Sequence, residues 1–247
     1  MFTPMTLGEL LDGAFVMFRR HFTTLVGIAV VCYLPFQAMR LYATVSGGWT
    51  GHLLLLCVAL LLSAVGGLIG AAATLKVISD GYLNRDCSVG DALRFSLSKI
   101  GGLMVAGFAR FILIALGFVL LIIPGIIIAC GYSVVNQIVV LEDPASPLDS
   151  LGRSWKLTKD FKGRAFALAF ILGIVAAMPS IAAGFMIALL HLSSGSANIL
   201  LAVLGAVTGL ILAPLIPCGM TLFYYDLRIR KEAFDLQTLE QQISGSA

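Results

Sequence analysis

Long apolar runs dominate the sequence, and they limit the fold more than any other feature. They cover about residues 22–41, 53–78, 100–123, 124–141, 165–190 and 199–225. A helix that crosses a hydrocarbon core of about 30 Å needs about 20 mostly apolar residues. Charged residues make up only 12% of the chain, against roughly 25% in soluble domains. The sequence therefore predicts an all-α integral membrane protein with six transmembrane helices.

Three polar stretches between the runs share one pattern. Each opens with a hydroxyl residue, at Thr6, Ser88 and Ser146, and has an acid three positions later and Leu at the sixth place. A hydroxyl followed by an acid at this spacing is a capping box, in which each side chain binds a free backbone amide of the first turn. Pro147 stands at the first helical position, where a helix tolerates proline best. We expect three short amphipathic helices.

Each capped helix precedes two apolar spans, which suggests a threefold helix–hairpin repeat. The units are about 1–78, 79–141 and 142–226, with 227–247 as a charged tail. The spacing between the copies differs, so genuine duplication and a merely shared local geometry both remain open.

The charges predict the orientation. Fourteen of the sixteen Lys and Arg residues fall on one side of the predicted spans, and the exceptions are Arg40 and Arg110. Because basic residues are retained on the cytoplasmic side, we expect both termini and the three amphipathic helices in the cytoplasm. All thirteen acids lie on the same side, which leaves the opposite face almost uncharged.

Arg110 is the clearest ionisable residue within a span. We expect a tight hairpin at Pro124–Gly125, which would bring position 110 level with about 139 and within one helical turn of Asn136, Gln137 and Glu142. A charge near mid-bilayer costs several kcal/mol unless it is paired or hydrated. Arg110 is thus either part of a site for a headgroup or another anion, or a structural residue that locks the hairpin or extends toward the interface.

A basic cluster follows the third capped helix: Lys156, Lys159, Lys162 and Arg164, beside Trp155. Basic residues at the membrane surface attract anionic lipids by on the order of 1 kcal/mol each. The alternative is that these charges only hold the loop inside. The net charge of +3 is small, so no nucleic-acid partner is predicted.

Pro214 and Pro217 interrupt the sixth span. Broken helices can form substrate sites in transporters, although a plain kink satisfied by neighbouring helices is commoner. Catalytic and metal-binding motifs are not visible, so we expect no enzymatic activity and no cofactor.

One resemblance rests on the tail, in which Tyr225, Asp226, Arg228 and Arg230 are the specific residues. The run from Tyr224 to Leu236, together with Pro124–Gly125, Glu142 and the segment from Ser146 to Lys159, resembles the membrane domain of membrane-anchored glycerophosphoryl diester phosphodiesterases. In that family a separate barrel performs hydrolysis through a His-Arg pair and a Glu-x-Asp motif, neither of which occurs in this sequence. The resemblance implies a stand-alone module of the bacterial inner membrane without that activity.

These features favour a non-enzymatic multi-pass module that contacts anionic lipids or a partner protein through its cytoplasmic face. The alternative is a small transporter or lipid-translocating protein that uses Arg110 and the break at Pro214 and Pro217. Membrane lipids are the expected partners, and a second copy of the chain or another membrane protein remains open.

Overall fold

The structure, a computed structural model, describes residues 4–45, 53–82, 85–189 and 194–232. These residues form eleven helices and no β-strand. The helices are α1 (Leu7–Arg20), α2 (Phe22–Val45), α3 (Leu53–Tyr82), α4 (Val89–Ser98), α5 (Ile100–Leu120), α6 (Ile122–Gly131), α7 (Val135–Leu141), α8 (Asp149–Thr158), α9 (Lys162–Leu189), α10 (Ser194–Leu212) and α11 (Leu215–Glu232). Six stretches of this part are long and apolar enough to cross a membrane, judged by length and composition. The predicted all-α membrane fold is confirmed.

The first two capped helices begin where the pattern predicts. At the start of α1, Thr6 Oγ1 accepts a hydrogen bond from the Glu9 amide, and the Glu9 carboxylate accepts one from the Thr6 amide at 2.6 Å. At α4 the Ser88 hydroxyl accepts from the Asp91 amide at 3.1 Å and donates to the Asp91 carboxylate. These contacts satisfy amides that the first turn of a helix otherwise leaves unpaired.

The third capped helix begins three residues after Ser146, so the prediction of a capping box there was wrong. Asp149 N donates to Ser146 O, and Leu151 N donates to Leu148 O. These are the i to i+3 bonds of a tighter 3₁₀ turn. The Ser150 hydroxyl also binds the carbonyl of Pro147, so Pro147 lies in this turn and α8 starts at Asp149.

The turn between the third and fourth spans lies at Leu121, not at Pro124–Gly125. Leu121 is the extended residue between α5 and α6. Pro124 falls in the first turn of α6, where its missing amide hydrogen has no intrahelical partner to lose. Gly125 lies inside α6 against Phe118 and Gly117, where a Cβ atom would collide.

Two spans are broken. The sixth is interrupted at Ala213–Pro214, between α10 and α11, as the prolines predict. The fourth is interrupted at 132–134, which the sequence analysis did not predict. Residues 227–232 were assigned to the charged tail, but α11 continues to Glu232. The rest of the predicted tail, 233–247, lies outside the described residues.

The three short helices pack in a cyclic order. α1 packs on α11 and α9, and α4 packs on α3 and α2. α8 packs on α7 and α6, the two halves of the fourth span, and also on α5, the third span. Each short helix therefore packs on the two spans of the preceding unit, and α1, in the first unit, packs on the two spans of the third. This arrangement joins the three units into a closed ring.

The three copies also bury equivalent positions. Counting from the opening hydroxyl, the fifth and ninth positions face inward in all three copies, and the thirteenth does so in the first and third. They are Leu10, Ala14 and Phe18 in α1, Ala92 and Ser96 in α4, and Ser150, Ser154 and Thr158 at α8. At the ninth position, Ser96 donates to Ile69 O and Ser154 to Gly131 O, both at 2.8 Å. The repeated pattern thus extends from capping to packing, whereas duplication itself stays a prediction.

Packing is concentrated at one end of the bundle. We call the end that carries α1, α4 and α8 the charged end, and the end marked by the turn at Leu121 the far end. The largest fully buried side chains in the described chain all lie on the three short helices or within about ten residues of the charged end of a span. They are Leu10, Leu25, Ile28, Leu75, Ile78, Leu103, Ile138, Leu157, Leu168, Leu172, Phe223 and Tyr224. The far halves of the spans expose large apolar side chains, as expected for contact with lipid.

Gly66 and Gly67 offer a matched test of the contact between α2 and α3. A Cβ atom on Gly66 would collide with the Cys32 carbonyl, whereas one on Gly67 would meet nothing within 4 Å. We expect Gly66→Ala to lower the free energy of unfolding by about 1–3 kcal/mol through overpacking. Gly67→Ala should be neutral or slightly stabilising, because alanine favours the helix. Thermal unfolding in detergent measures both, and equal melting temperatures for the two variants would contradict the close approach.

Candidate functional site

Arg110 is not brought together with its predicted partners. A Cβ on Gly117 would lie 3.0 Å from the Cα of Gly125, and one on Gly102 would lie 3.3 Å from Val139 Cγ1. Arg110 lies midway between these contacts and is therefore level with Gly131–Tyr132. Because the turn lies at Leu121 rather than three residues later, the predicted pairing of Arg110 with position 139 was wrong.

The predicted amide partners are also unpaired. Asn136 Oδ1 and Gln137 Oε1 are buried without a hydrogen-bond partner in the described chain, as is Ser133 Oγ. Arg110 is partly buried and forms no hydrogen bond or ion pair with the residues that the structure describes. Glu142 lies farther toward the charged end, where it has other partners.

Glu142 is the centre of a polar network at the charged end. Its carboxylate accepts hydrogen bonds from Arg153 Nε at 2.9 Å and from the Tyr224 hydroxyl at 2.8 Å. Arg153 also pairs with Glu232 at 2.5 Å. Arg228 pairs with Glu232 at 2.9 Å and donates to the Tyr224 hydroxyl at 3.3 Å. We call Glu142, Arg153, Tyr224, Arg228 and Glu232 the carboxylate network, which joins α7, α8 and α11.

The N-terminal segment is fixed to α11 by a second group. Asp226 is fully buried and accepts a hydrogen bond from the Met5 amide at 2.8 Å. Arg230 donates to Asp226 at 2.9 Å, and both Arg230 and Arg164 donate to the Met5 carbonyl at 2.6 Å. We call Met5, Arg164, Asp226 and Arg230 the N-terminal clasp. Two arginines compensate the one buried carboxylate, which is the condition under which a buried charge is tolerated.

The predicted basic cluster divides into residues with different roles. Lys162 Nζ lies 3.3 Å from the centre of the Trp155 ring, a cation–π contact. Arg164 belongs to the N-terminal clasp. Lys156 and Lys159 are exposed, and neither side chain forms an ion pair with the described residues. Of the five predicted contact residues, only Lys156 and Lys159 present free charge to the surroundings.

The tail-motif residues lie within α11 and form its contacts at the charged end. Tyr225 shares a hydrogen bond with Ser79 of α3 at 2.8 Å. Asp226, Arg228 and Arg230 belong to the two groups described above. In the sequence these residues stand out by the family resemblance alone, and the structure gives each of them a structural contact.

Two pKa shifts describe the charged end. Burial lowers the pKa of Arg153, but hydrogen bonds and attraction from Glu142 and Glu232 outweigh it, so the pKa is raised overall. Arg153 therefore remains charged. Burial raises the pKa of the Cys87 thiol to about 11, which keeps it protonated at neutral pH. A protonated thiol is a poor nucleophile, so Cys87 does not mark a reactive site.

The sequence patterns did not identify Arg153, Tyr224 and Glu232 as members of the network. One signal was present: Tyr224, Arg228 and Glu232 follow one another at i, i+4 spacing, which places them on one helical face. The pairing of Glu142 with Arg153 across the turn into α8 had no comparable signal, because that turn was predicted to be part of the helix.

In the described part of the chain, no group of three or more His, Cys, Asp or Glu residues could hold a metal ion. The polar groups of the carboxylate network and the N-terminal clasp are engaged with one another, so their chemistry is that of structural ion pairs. The fold and these sites define the class: a multi-pass, all-α membrane protein. Comparison of the chain with protein-family models, curated proteins and solved structures found no match.

Glu142 and Asp143 form a matched pair for testing the carboxylate network. Glu142→Gln removes the charge between Arg153 and Tyr224, so we expect a loss of about 1–3 kcal/mol in unfolding free energy. Asp143 is mostly exposed and pairs with Lys99 at the surface. It has a positive φ of 44°, which asparagine tolerates. Asp143→Asn should therefore change stability by less than about 0.5 kcal/mol.

Chemical or thermal unfolding in detergent distinguishes these expectations. A Glu142→Gln protein as stable as Asp143→Asn would show that the network contributes little to the fold.

Proposed function

We propose that this protein is a non-enzymatic module of the bacterial inner membrane that binds anionic lipids through its cytoplasmic face. In this proposal the charged end faces the cytoplasm. Among the described Lys and Arg residues, all but Arg40 and Arg110 lie at or next to that end, which agrees with retention of basic residues inside.

The exposed pair Lys156 and Lys159 carries the proposal. Most other basic residues near them are engaged: Arg153 and Arg228 with Glu142 and Glu232, Arg164 and Arg230 with Asp226, and Lys231 with Asp160 at 3.0 Å. Lys156 and Lys159 form no such pair with the described residues. They follow Trp155 at the end of α8, just before the ninth helix enters the membrane, where lipid headgroups would lie. Unpaired charge beside an aromatic residue suits binding of anionic lipid at the interface.

The contacts of the tail motif favour a structural role over catalysis. Tyr225, Asp226 and Arg230 connect α11 to α3 and to the N-terminal segment. Arg228 pairs with Glu142 and Glu232. This is compatible with the resemblance to the membrane domain of the phosphodiesterase family, which remains part of the proposal. A module of this kind would present its basic surface to lipid or to a partner protein.

The proline break gives little support to the alternative of transport. The space beside it is lined by Ile28, Tyr33, Thr74, Pro214 and Pro217, among others, and admits no water-sized molecule.

The orientation is tested by impermeant thiol labelling in intact cells. In a background without native cysteines, Asp12→Cys on the exposed face of α1 should react only after permeabilisation. Ser193→Cys, on the opposite side of the predicted topology, should react in intact cells. The reverse pattern would place the charged end outside and remove the basis for cytoplasmic lipid binding.

Lipid preference at the basic pair is tested with Trp155 fluorescence. A Trp49→Phe background leaves Trp155 as the only tryptophan of the two in the chain. In mixed bilayers, brominated phosphatidylglycerol should quench Trp155 more than brominated phosphatidylcholine. Lys156→Gln with Lys159→Gln should bring this ratio close to one, since two charges contribute about 2 kcal/mol near the surface.

The charge-preserving pair Lys156→Arg and Lys159→Arg is the control and should keep the preference. Added salt should weaken it, because exposed charges are screened. An unchanged quenching ratio in the glutamine variant would rule out this basic pair as the anionic-lipid site. Binding of a partner protein would then be the remaining role of the surface.

A further inference from the structure

An apolar groove lies between α2, α3 and the short helix α4. Its volume is about 240 Å³, and residues of all three helices line it. At its floor α2 and α3 approach each other closely, because a Cβ atom on Gly66 would collide with the Cys32 carbonyl. Val31 and Leu62 line its two sides, and Leu97 of α4 lines the part nearest the charged end. None of the described residues that line the groove is charged.

The groove opens to the surroundings of the spans. Val31 is 56% exposed, Leu62 39% and Leu97 53%. Along α3 the lining runs from Leu62 to Ile69, which is about 10 Å at 1.5 Å per residue. α4 meets α3 at the same level as Ile69, since Ser96 donates a hydrogen bond to the Ile69 carbonyl. The groove therefore runs from α4 into the hydrocarbon region, and acyl chains of the leaflet at the charged end extend in the same direction.

The size and lining of the groove select its occupant. A 10 Å length of helix about 10 Å across occupies roughly 800 Å³, whereas the groove provides about 240 Å³. A helix of a second copy is therefore too wide to enter, and an unbranched acyl chain is not. A polar ligand would lose its hydrogen bonds to water on entry and would find almost no replacement among the lining side chains. These properties favour a hydrocarbon chain.

A basic side chain without a partner lies beside the groove. Arg94 follows Leu93 directly and stands three positions before Leu97, so it is adjacent to both on the surface of α4. Arg94 is exposed and forms no hydrogen bond or ion pair with the described residues. Asp91, the acid of the same helix, instead accepts a hydrogen bond from Ser88 Oγ at 2.6 Å. Because a guanidinium binds phosphate oxygens in a bidentate manner, Arg94 is complementary to a phospholipid headgroup.

We propose that the groove between α2, α3 and α4 holds one acyl chain of an anionic phospholipid from the leaflet at the charged end, and that Arg94 binds the phosphate of this lipid. The site goes beyond the proposed function, because it shares no residue with the basic surface at Lys156 and Lys159. It also does not depend on which side of the membrane the charged end faces.

Two neighbouring leucines of α3 form a matched pair for testing the acyl-chain contact. Leu62 lines the groove, whereas Leu61 is 66% exposed outside it. In native mass spectrometry of the purified full chain, the wild type should retain one phospholipid per chain after delipidation with mild detergent. Leu62→Trp should lower the retained fraction roughly fivefold or more, because the indole and the acyl chain cannot share the space. Leu61→Trp should leave it unchanged. Equal retention by the two variants, or no phospholipid on the wild type, would overturn the proposal.

A second pair on α3 serves if Leu62→Trp does not fold. Val65 lines the groove, and Val58 is exposed on the same helix two turns away from it. Val65→Phe should lower lipid retention, and Val58→Phe should keep the wild-type level. Added phosphatidylglycerol should raise the melting temperature of Val58→Phe by more than that of Val65→Phe. The same rise for both variants would contradict the groove as the lipid site.

Competition between phosphatidylglycerol and phosphatidylcholine for the retained position tests the headgroup contact. Arg94→Gln should lower the preference for phosphatidylglycerol roughly fivefold, as expected for the loss of one charge near the surface. Arg94→Lys keeps the charge and should keep most of the preference. Arg19→Gln removes an exposed charge from α1 and should keep all of it. An unchanged preference in Arg94→Gln would show that Arg94 does not bind the headgroup and would overturn the proposal.

The mass of the adduct identifies other occupants. A free fatty acid, or a second copy of the chain, that is held by the wild type and lost in Leu62→Trp would replace the phospholipid and overturn the proposal. Arg94→Gln should leave the Trp155 quenching ratio unchanged, and Lys156→Gln with Lys159→Gln should leave the lipid in the groove. Failure of this site and failure of the cytoplasmic lipid surface are therefore distinguishable.

Discussion

The fully buried carboxylate of Asp226 is the interaction on which the arrangement of the chain depends. It binds the Met5 amide and Arg230, with Arg164 3.5 Å away, and thereby fixes the beginning of the chain to its last described helix. A buried charge is stable only when it is compensated this completely. Because α1 follows directly after Met5, this one group determines that α1 packs on α11, and so closes the ring of three units.

A closed ring at one end is a reasonable solution for helices surrounded by lipid. Lipid tails are as apolar as leucine, so apolar burial alone provides little force between spans. The chain instead uses contacts that lipid cannot replace: ion pairs around Glu142 and Asp226, and close approaches at small residues such as Gly66. Ser96 and Ser154 add hydrogen bonds to carbonyls of the preceding unit. These contacts lie mostly near the charged end, which leaves the far halves of the spans free to adapt to the bilayer.

Local sequence patterns predicted the structural features that depend on residues close together in the sequence. Hydrophobicity and length located the six spans, and the Thr6 and Ser88 patterns located two helix starts, because capping is satisfied within one turn. The Ser146 pattern failed because Pro147 and Ser150 support a 3₁₀ turn instead. The turn between the third and fourth spans was predicted at Pro124–Gly125 instead of Leu121, because proline occurs in the first turn of a helix as readily as in a loop. The pairing of Glu142 with Arg153 and Tyr224 depends on tertiary packing, which a single sequence does not encode locally.

Tertiary packing also determines which charged residues are available for binding. Arginines such as Arg164 and Arg228 are of the residue type that binds lipid headgroups, yet in this fold each one neutralises a carboxylate. Basic side chains remain available for binding only where no acidic side chain of the ring pairs with them, as at Lys156 and Lys159. Arg110 is unpaired for a different reason: the units close at the charged end, and Arg110 lies beyond that closure, where no carboxylate of the described chain reaches. Stability and recognition thus compete for the same few charges, and the position of the ring decides which of them remain for lipid.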